Sequence, residues 1–351
     1  MTRIALDAMG GDYAPREIVV GAVEAAVGVP DVKVLLVGQM AAIQKELESL
    51  NKDLRASAQS AIEKGTLEIV HAPDVAEMDE SAAKTIHRKP DCSINVGMRL
   101  VKEKRADAFV SAGNSGAVAA SAMFTLKRID GVHRPAIAMI IPSKVPNKPL
   151  VLLDSGANCD CRPEWLAQWA IMGSVYSKVV FNQPSPAVGL LSIGTEECKG
   201  NQLVHETYPM LKEISSINFR GNIEGHDICG GEVDVAICDG FVGNTVLKSV
   251  ESIAKAISAW LKAELTKSLF RKICALMLKP AFKTLKRQMD PEMYGGAPLL
   301  GVNGNVIITH GNSSHKAIFY AVKAGVAAAT NDVSGLIAKS IAEHAESQKQ
   351  K

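Results

Sequence analysis

One unit recurs along this chain: a short apolar run, a turn rich in glycine, asparagine or serine, and then a helical stretch. The runs Arg3–Leu6, Val32–Val37, Leu67–His71, Ala108–Ser111, Leu150–Leu153, Ala187–Leu191, Val233–Cys238 and Asn305–Thr309 predict strands. Helices are predicted over Arg16–Val27, Ala41–Leu50, Ala117–Leu126 and Lys316–Ala328, with another opening at Thr245. Strands alternating with helices predict a three-layer αβα fold around a mostly parallel sheet. Aromatics make up only 5% of the 351 residues, so the core must be built from Ala, Val, Ile and Leu, which suits a parallel sheet covered on both faces. In such sheets ligands bind beyond the carboxyl ends of the strands, and each of these turns follows a strand. The turns are therefore expected to gather at one rim of a single sheet and to share one cleft.

Several function classes are disfavoured. A formal net charge of +2 gives no electrostatic case for nucleic acid. The seven cysteines are scattered, and Cys159 and Cys161 stand too close for a zinc knuckle or a bridge, so all are expected to be reduced thiols in a cytoplasmic protein. The chain begins directly with a strand-like run, without the basic and apolar stretches of a signal peptide. No apolar run nears the ~20 residues of a membrane span, so any bilayer contact is expected to be peripheral. There is no phosphate loop of the Gly-Lys-Ser/Thr kind, no strict dinucleotide fingerprint after the first strand and no G-x-S-x-G elbow. Asp7, Asp12, Asp154 and Asp239 lie on separate turns without a metal-ligand pattern and read better as helix caps. No metal and no cofactor is expected.

The first turn of a helix exposes unpaired N–H groups and the positive end of its dipole. Glycine lets an anion approach that backbone, and Asn or Ser adds neutral donors. Such a turn can hold phosphate or a developing oxyanion. Asn114 with Ser115, Asn244 with Thr245, and Asn312 with Ser313 are each expected to open a helix. Each alone is ordinary turn chemistry; three around one cleft point to phosphate handling.

The turns also carry a resemblance. Asp7-Ala8-Met9-Gly10-Gly11-Asp12, Ser111-Ala112-Gly113-Asn114, Asp154-Ser155-Gly156-Ala157-Asn158, Gly194-Thr195-Glu196-Glu197 with Lys199-Gly200-Asn201, Gly221-Asn222, Asp239-Gly240-Phe241-Val242-Gly243-Asn244 and Tyr294-Gly295-Gly296-Ala297-Pro298 stand in order from about Ile4 to about Ala328. Together they resemble the phosphate acyltransferase family. Ser115, Ser192 and His226 depart from the Thr, Asn and Arg common in that family. The resemblance implies transfer of a fatty acyl group from acyl-[acyl carrier protein] to inorganic phosphate, in a homodimer with an isocitrate dehydrogenase/phosphotransacetylase-like fold. It further implies a membrane-bound glycerol-3-phosphate acyltransferase that consumes the acyl phosphate for phospholipid synthesis.

On that reading the work is positioning and oxyanion stabilisation, because phosphate is already anionic and a thiol of pKa about 8.5 leaves readily. Lys199 and Asn244 are the expected catalytic residues; the plainer readings are a surface lysine paired with Glu196 or Glu197, and a helix cap. Ser111, Asn114, Ser115, Asp154, Asn158, Asn201, Asn222, Asp239 and Asn312 are the expected substrate and phosphate contacts. His310 and His315 flank one turn, where either could protonate the leaving thiolate, but a hydrogen-bonded turn residue is the reading favoured. The rivals are a phosphotransacetylase acting on a small acyl-coenzyme A, a nicotinamide-dependent dehydrogenase of the same fold, and a non-catalytic membrane scaffold for lipid enzymes.

One region breaks the rhythm. Residues 245–290 predict an amphipathic helical insertion interrupted at Pro280, within a single catalytic domain over 1–335, followed by a C-terminal helix end and polar tail over 336–351. Val246, Val250, Ile253, Ile257, Leu261 and Leu265 form one stripe suited to a dimer interface. Phe270, Arg271, Lys272, Leu276, Lys279 and Phe282 mix apolar and basic character suited to an anionic membrane surface or the acidic carrier protein.

Overall fold

The computed structural model describes residues 1–80, 85, 88–289 and 291–349, so the last two residues of the polar tail lie outside the described residues. The alternation of strand and helix produces two parallel-dominated sheets, where one was expected. The first contains β1 (Thr2–Asp7), β2 (Val32–Gly38), β3 (Leu67–His71), β4 (Ala108–Ser111), β5 (Ala136–Ile137), β11 (Ala297–Leu300) and β12 (Asn305–Ile308), in the order β3-β2-β1-β4-β12-β11-β5. The second contains β6 (Met139–Ile141), β7 (Leu150–Leu153), β8 (Ala187–Leu191), β9 (Asn218–Ile223) and β10 (Val235–Ile237), in the order β6-β7-β10-β8-β9. Among the strands described, pairing is antiparallel at β11, β5 and β6 and parallel elsewhere. Those strands are short, and β5 and β6 are two halves of one extended segment that edges both sheets.

The first sheet is a three-layer sandwich. One face packs on α1 (Arg16–Gly28), α3 (Lys52–Glu63) and α11 (His315–Thr330) through Ile4, Leu6, Val34, Leu36 and Ile318. Its other face packs on α4 (Ser93–Lys102) and α5 (Ser115–Thr125) through Ala5, Leu35, Phe109, Met98 and Val118. Helix α2 (Met40–Ser49) follows β2. The second sheet has one full helical layer, made of α6 (Pro163–Val180), α7 (Gln202–Glu213) and α12 (Val333–Lys349), around the buried Trp169 and Tyr176. Among the described residues its other face packs on Ile228, on Val233, and on Val242 and Val246 at the root of α8 (Gly240–Thr266).

Helix α8 opens five residues before Thr245, which corrects the expectation that Asn244 and Thr245 begin it. Asp239 is the cap, accepting from the Val242 N–H at 2.8 Å. The glycines that read as a turn are helical because packing requires them. A Cβ on Gly240 would strike the Asn158 carbonyl, and one on Gly243 would overlap the Asp154 carbonyl oxygen. A similar shift applies to α11, whose cap is Ser314 rather than Ser313. The helical stretch then continues as α9 (Leu269–Met277), capped by Ser268, and α10 (Lys279–Met289), with Pro280 in the first turn where a missing N–H costs nothing. Ile253, Ile257, Phe270 and Leu276 of this arm are exposed in the single chain.

Gly243→Ala is expected to cost about 1–3 kcal/mol by overpacking, read as a lower urea midpoint. Gly225→Ala, whose Cβ meets nothing within 4 Å, should stay within about 0.5 kcal/mol of the parent.

Candidate active site

Two buried aspartates hold the strand-end turns in place. Asp7, at the end of β1, accepts from Ser111 Oγ at 2.7 Å and the Met9 N–H at 3.0 Å. Ser111 Oγ in turn accepts from the Gly113 N–H at 2.9 Å. Asp154, at the end of β7, accepts from the Ile137 N–H at 2.9 Å and the Asn158 N–H at 2.7 Å. Burial is the main cause that pushes both carboxyls above their usual range, against the pull of these hydrogen bonds. The Cys161 thiol is pushed up to about 12, and Cys238 also upward, so neither supplies a thiolate near neutral pH.

Between the two sheets lies a cleft of about 1120 Å³. The first sheet contributes Asp12, Asn114, Ser115, Thr309, His310 and Ser313 to its walls. The second contributes Ser155 and Gly156, and α8 contributes Asn244 and Lys248. The shared hollow expected from the turns therefore exists, but two sheet rims form it. Gly156 has a positive φ of 128° and stands against Asn244, with its added Cβ 3.6 Å from the asparagine Cβ.

The asparagines sort by what already occupies their amides. Asn114 accepts from the Ala117 N–H at 3.0 Å and donates to the Met78 carbonyl at 2.6 Å. As a cap it aims the first turn of α5 at the cleft, where Ser115 and Gly116 line the wall. Asn158 donates to the Pro135 carbonyl and to Asp154. Asn201 caps α7, and Asn222 donates to the Glu196 carbonyl at 2.8 Å. Asn244 makes no side-chain hydrogen bond among the described residues and lines the cleft. Its amide is thus available to a ligand.

Several expected residues lie elsewhere. Lys199 is exposed on the turn after β8 and does not line the cleft; its N–H bonds the Glu196 carbonyl, and Glu197 pairs with Lys212 instead. Ser111, Asp154, Asn158, Asn201, Asn222 and Asp239 are engaged with their own or neighbouring turns and do not line the cleft. Asn312 is exposed beside the cleft, donating its N–H to His310 Nδ1 at 3.3 Å. That bond leaves Nε2 as the protonated nitrogen of a neutral His310 ring. His315 binds Glu24 at 2.8 Å, the hydrogen-bonded turn role favoured for it. His226 is exposed beside Asp227. Sequence reasoning set His310 aside and passed over Ser155, because neither turn shows which of its polar atoms faces the hollow.

Solved structures share this fold. The crystal structure of a phosphotransacetylase from Streptococcus pyogenes superposes with a TM-score of 0.62 at 17% identity, covering 94% of each chain. A 4-hydroxythreonine-4-phosphate dehydrogenase from Klebsiella pneumoniae superposes at 0.52 and 11% identity, covering 93% of this chain and 98% of that one. The fold is therefore the phosphotransacetylase-like α/β fold, which hosts more than one chemistry. Sequence goes further. The model of the fatty acid synthesis protein family matches residues 2–336, and a phosphate acyltransferase from Trichodesmium erythraeum is 46% identical, covering 95% of this chain and 94% of its own. The chain belongs to this family of phosphate acyltransferases and is an acyltransferase.

The raised carboxyl pKa values have a sign that can be checked. As pH rises, the folded chain keeps the protons of Asp7 and Asp154 longer than the unfolded chain does. Their contribution is fully present below the ordinary value of 3.8 and is lost as pH climbs through the raised values. The Asp7→Asn, Asp154→Asn double variant should lose less stability than the parent between about pH 4 and neutrality, measured by urea unfolding across pH. Identical slopes would argue against burial as the dominant cause.

Proposed function

We propose that the cleft transfers a fatty acyl group from acyl-[acyl carrier protein] to inorganic phosphate, yielding acyl phosphate and the free carrier thiol. The free amide of Asn244, set in a cleft with open first-turn N–H groups, is the observation that carries this reading. A phosphate oxygen attacks the thioester carbonyl carbon, and the carbonyl oxygen becomes an oxyanion. Asn244 Nδ2 and the N–H groups of Ser115 and Gly116 receive that charge at the positive end of α5. Collapse breaks the C–S bond. The proton of the attacking hydrogen phosphate passes to the departing thiolate, so charge and protons balance, and His310 Nε2–H donates a hydrogen bond to the sulfur as its charge develops. Ser111, Asp154, Asn158 and Asp239 hold the turns that set this geometry.

Lys199 acts from outside the cleft. Its turn follows β8, two strand positions from β7 and so roughly 10 Å along the rim. There its charge draws phosphate and the acidic carrier toward the rim, while Asn222 holds its turn, Asn201 caps the helix that follows and Asn312 stands exposed beside the cleft. A hollow of about 1120 Å³ with walls such as Ile137, Met139 and Leu247 suits a long acyl chain better than acetyl, which favours this reaction over a phosphotransacetylase acting on acetyl-coenzyme A.

The exposed arm supports a peripheral, cytoplasmic setting. Among the described residues no helix is long and apolar enough to cross a membrane. Phe270 and Leu276 are 75% and 68% exposed and stand among Arg271, Lys272 and Lys279, a pairing that suits an anionic bilayer surface. Phe282 is half-buried, and Glu264 offsets Arg271 at 2.8 Å. Ile253, Ile257 and Leu261 suit burial in a homodimer. An acyl phosphate released at the surface would then meet a membrane-bound glycerol-3-phosphate acyltransferase.

Asn244→Ala should lower kcat for acyl phosphate formation from a palmitoyl-carrier donor about a hundredfold or more. Lys199→Ala should instead act mainly on the KM for phosphate or donor. Near-normal turnover in Asn244→Ala, or faster turnover of acetyl-coenzyme A than of the palmitoyl donor, would overturn the assignment. Replacing Arg271, Lys272 and Lys279 together by Glu should weaken flotation with anionic vesicles at least tenfold and leave neutral vesicles unaffected. Unchanged flotation would remove the bilayer role.

A further inference from the structure

The cleft has a polar end and an apolar end, and the apolar end has a measurable length. On α8 the apolar residues lining the hollow are Leu247, Val250 and Ala254, at steps of three and four beyond Asn244, with Lys248 and Glu251 between them. Facing them are Ile137, Met139 and Ile141, alternate residues of the segment that edges both sheets. The two walls run the same way. Ile137 touches the rim through its bond to Asp154, whereas Ile141 pairs with Leu150, at the far end of β7 from that rim. Helix α8 likewise starts at the rim and descends, with Val242, Val246 and Met139 packed against the same buried cluster. The walls also agree in length. Ten helical residues from Asn244 to Ala254 span about 15 Å. Four strand residues from Ile137 to Ile141 span about 13 Å.

We infer that the acyl chain of the donor lies along this corridor, with its carbonyl at Asn244 and its terminal methyl beside Ala254, so that Ala254 sets the longest chain accepted. The inference rests on the acyl-transfer reading of the same site and adds the path and the limit. A single bilayer leaflet has a hydrocarbon depth of about 15 Å, half of the ~30 Å core, so the corridor matches the acyl chains of ordinary membrane lipids. Past Ala254 the wall turns charged at Lys255, which also lines the hollow and closes the apolar run. The Lys248–Glu251 pair, 3.1 Å apart, keeps its charges satisfied beside the path and offers the lysine stem as apolar surface. Leu285 of α10 lines the same hollow from a third side.

The test is a chain-length profile. Octanoyl, dodecanoyl and hexadecanoyl donors on the carrier protein are turned over by the parent, by Ala254→Trp, by the milder Ala254→Leu and by Ser252→Trp, which changes an exposed position of α8 outside the hollow. Each buried methylene is worth roughly a factor of four in binding. In Ala254→Trp the ratio of kcat/KM for hexadecanoyl over octanoyl should fall at least tenfold, with Ala254→Leu between it and the parent and Ser252→Trp keeping the parent ratio. An unchanged ratio in Ala254→Trp, or an equal fall for all three donors, overturns the corridor while leaving the transfer reaction intact. A parent that turns over none of the donors overturns the acyl-transfer reading and the corridor together.

Discussion

Ile137 is held from two directions at once. Its N–H donates to Asp154, its carbonyl accepts from both the N–H and the hydroxyl of Ser155, and the next residue, Ala138, donates to the Pro298 carbonyl of the other sheet. Six residues, Ala136–Ile141, thereby serve as an edge strand for both sheets. The hollow exists because the sheets share this edge and diverge from it. Asp154 is buried and partly desolvated, so each N–H aimed at it matters more than a comparable bond at the surface. Loss of that grip would free both the turn beside Asn244 and the floor of the hollow.

Around this hinge line the glycines and aspartates do mechanical work, and a small set of donors is left over for chemistry. Asp7 and Asp154 play matching parts in the two sheets, each collecting backbone N–H groups where a strand ends. Asn114, Asn201 and Asp239 cap helices. The hollow keeps the Asn244 amide, the first turn of α5 and His310 Nε2 open to a ligand, beside charged side chains such as Lys144 and Lys255. That division suits a reaction whose nucleophile is already charged and whose leaving group is a thiol, since such a reaction needs placement and charge stabilisation more than a strong base.

Much of the fold was legible. Short apolar runs, most of them followed by a glycine-bearing turn, marked β1, β2, β3, β4, β7, β8 and β12 to within about a residue, because buried parallel strands leave that signature. The antiparallel strands β5, β6 and β11 went unread, since two to four residues at an edge carry no periodicity. Strand β9 went unread because Arg220 and Gly221 interrupt it. The start of α8 was misplaced because Gly240 and Gly243 look like a turn in one dimension and serve as close-packing positions in three. Residue roles were less legible than positions. Nothing in the letters distinguishes the engaged amide of Asn222 from the open one of Asn244, and Lys199 drew attention through its motif although its turn lies off the hollow.

Helix α8 is 27 residues long, which makes it about 40 Å from end to end, yet among its residues only Gly240 and Gly243 are fully buried. It is a cantilever: clamped at one end against the Asp154 turn, free along most of its span. The same rod forms a wall of the reaction chamber near the clamp and carries the greasy, basic arm at its tip. Any load on that tip, from a second copy or from lipid, is transmitted as a bending moment to the clamp, where a tilt of a few degrees changes the width of the chamber.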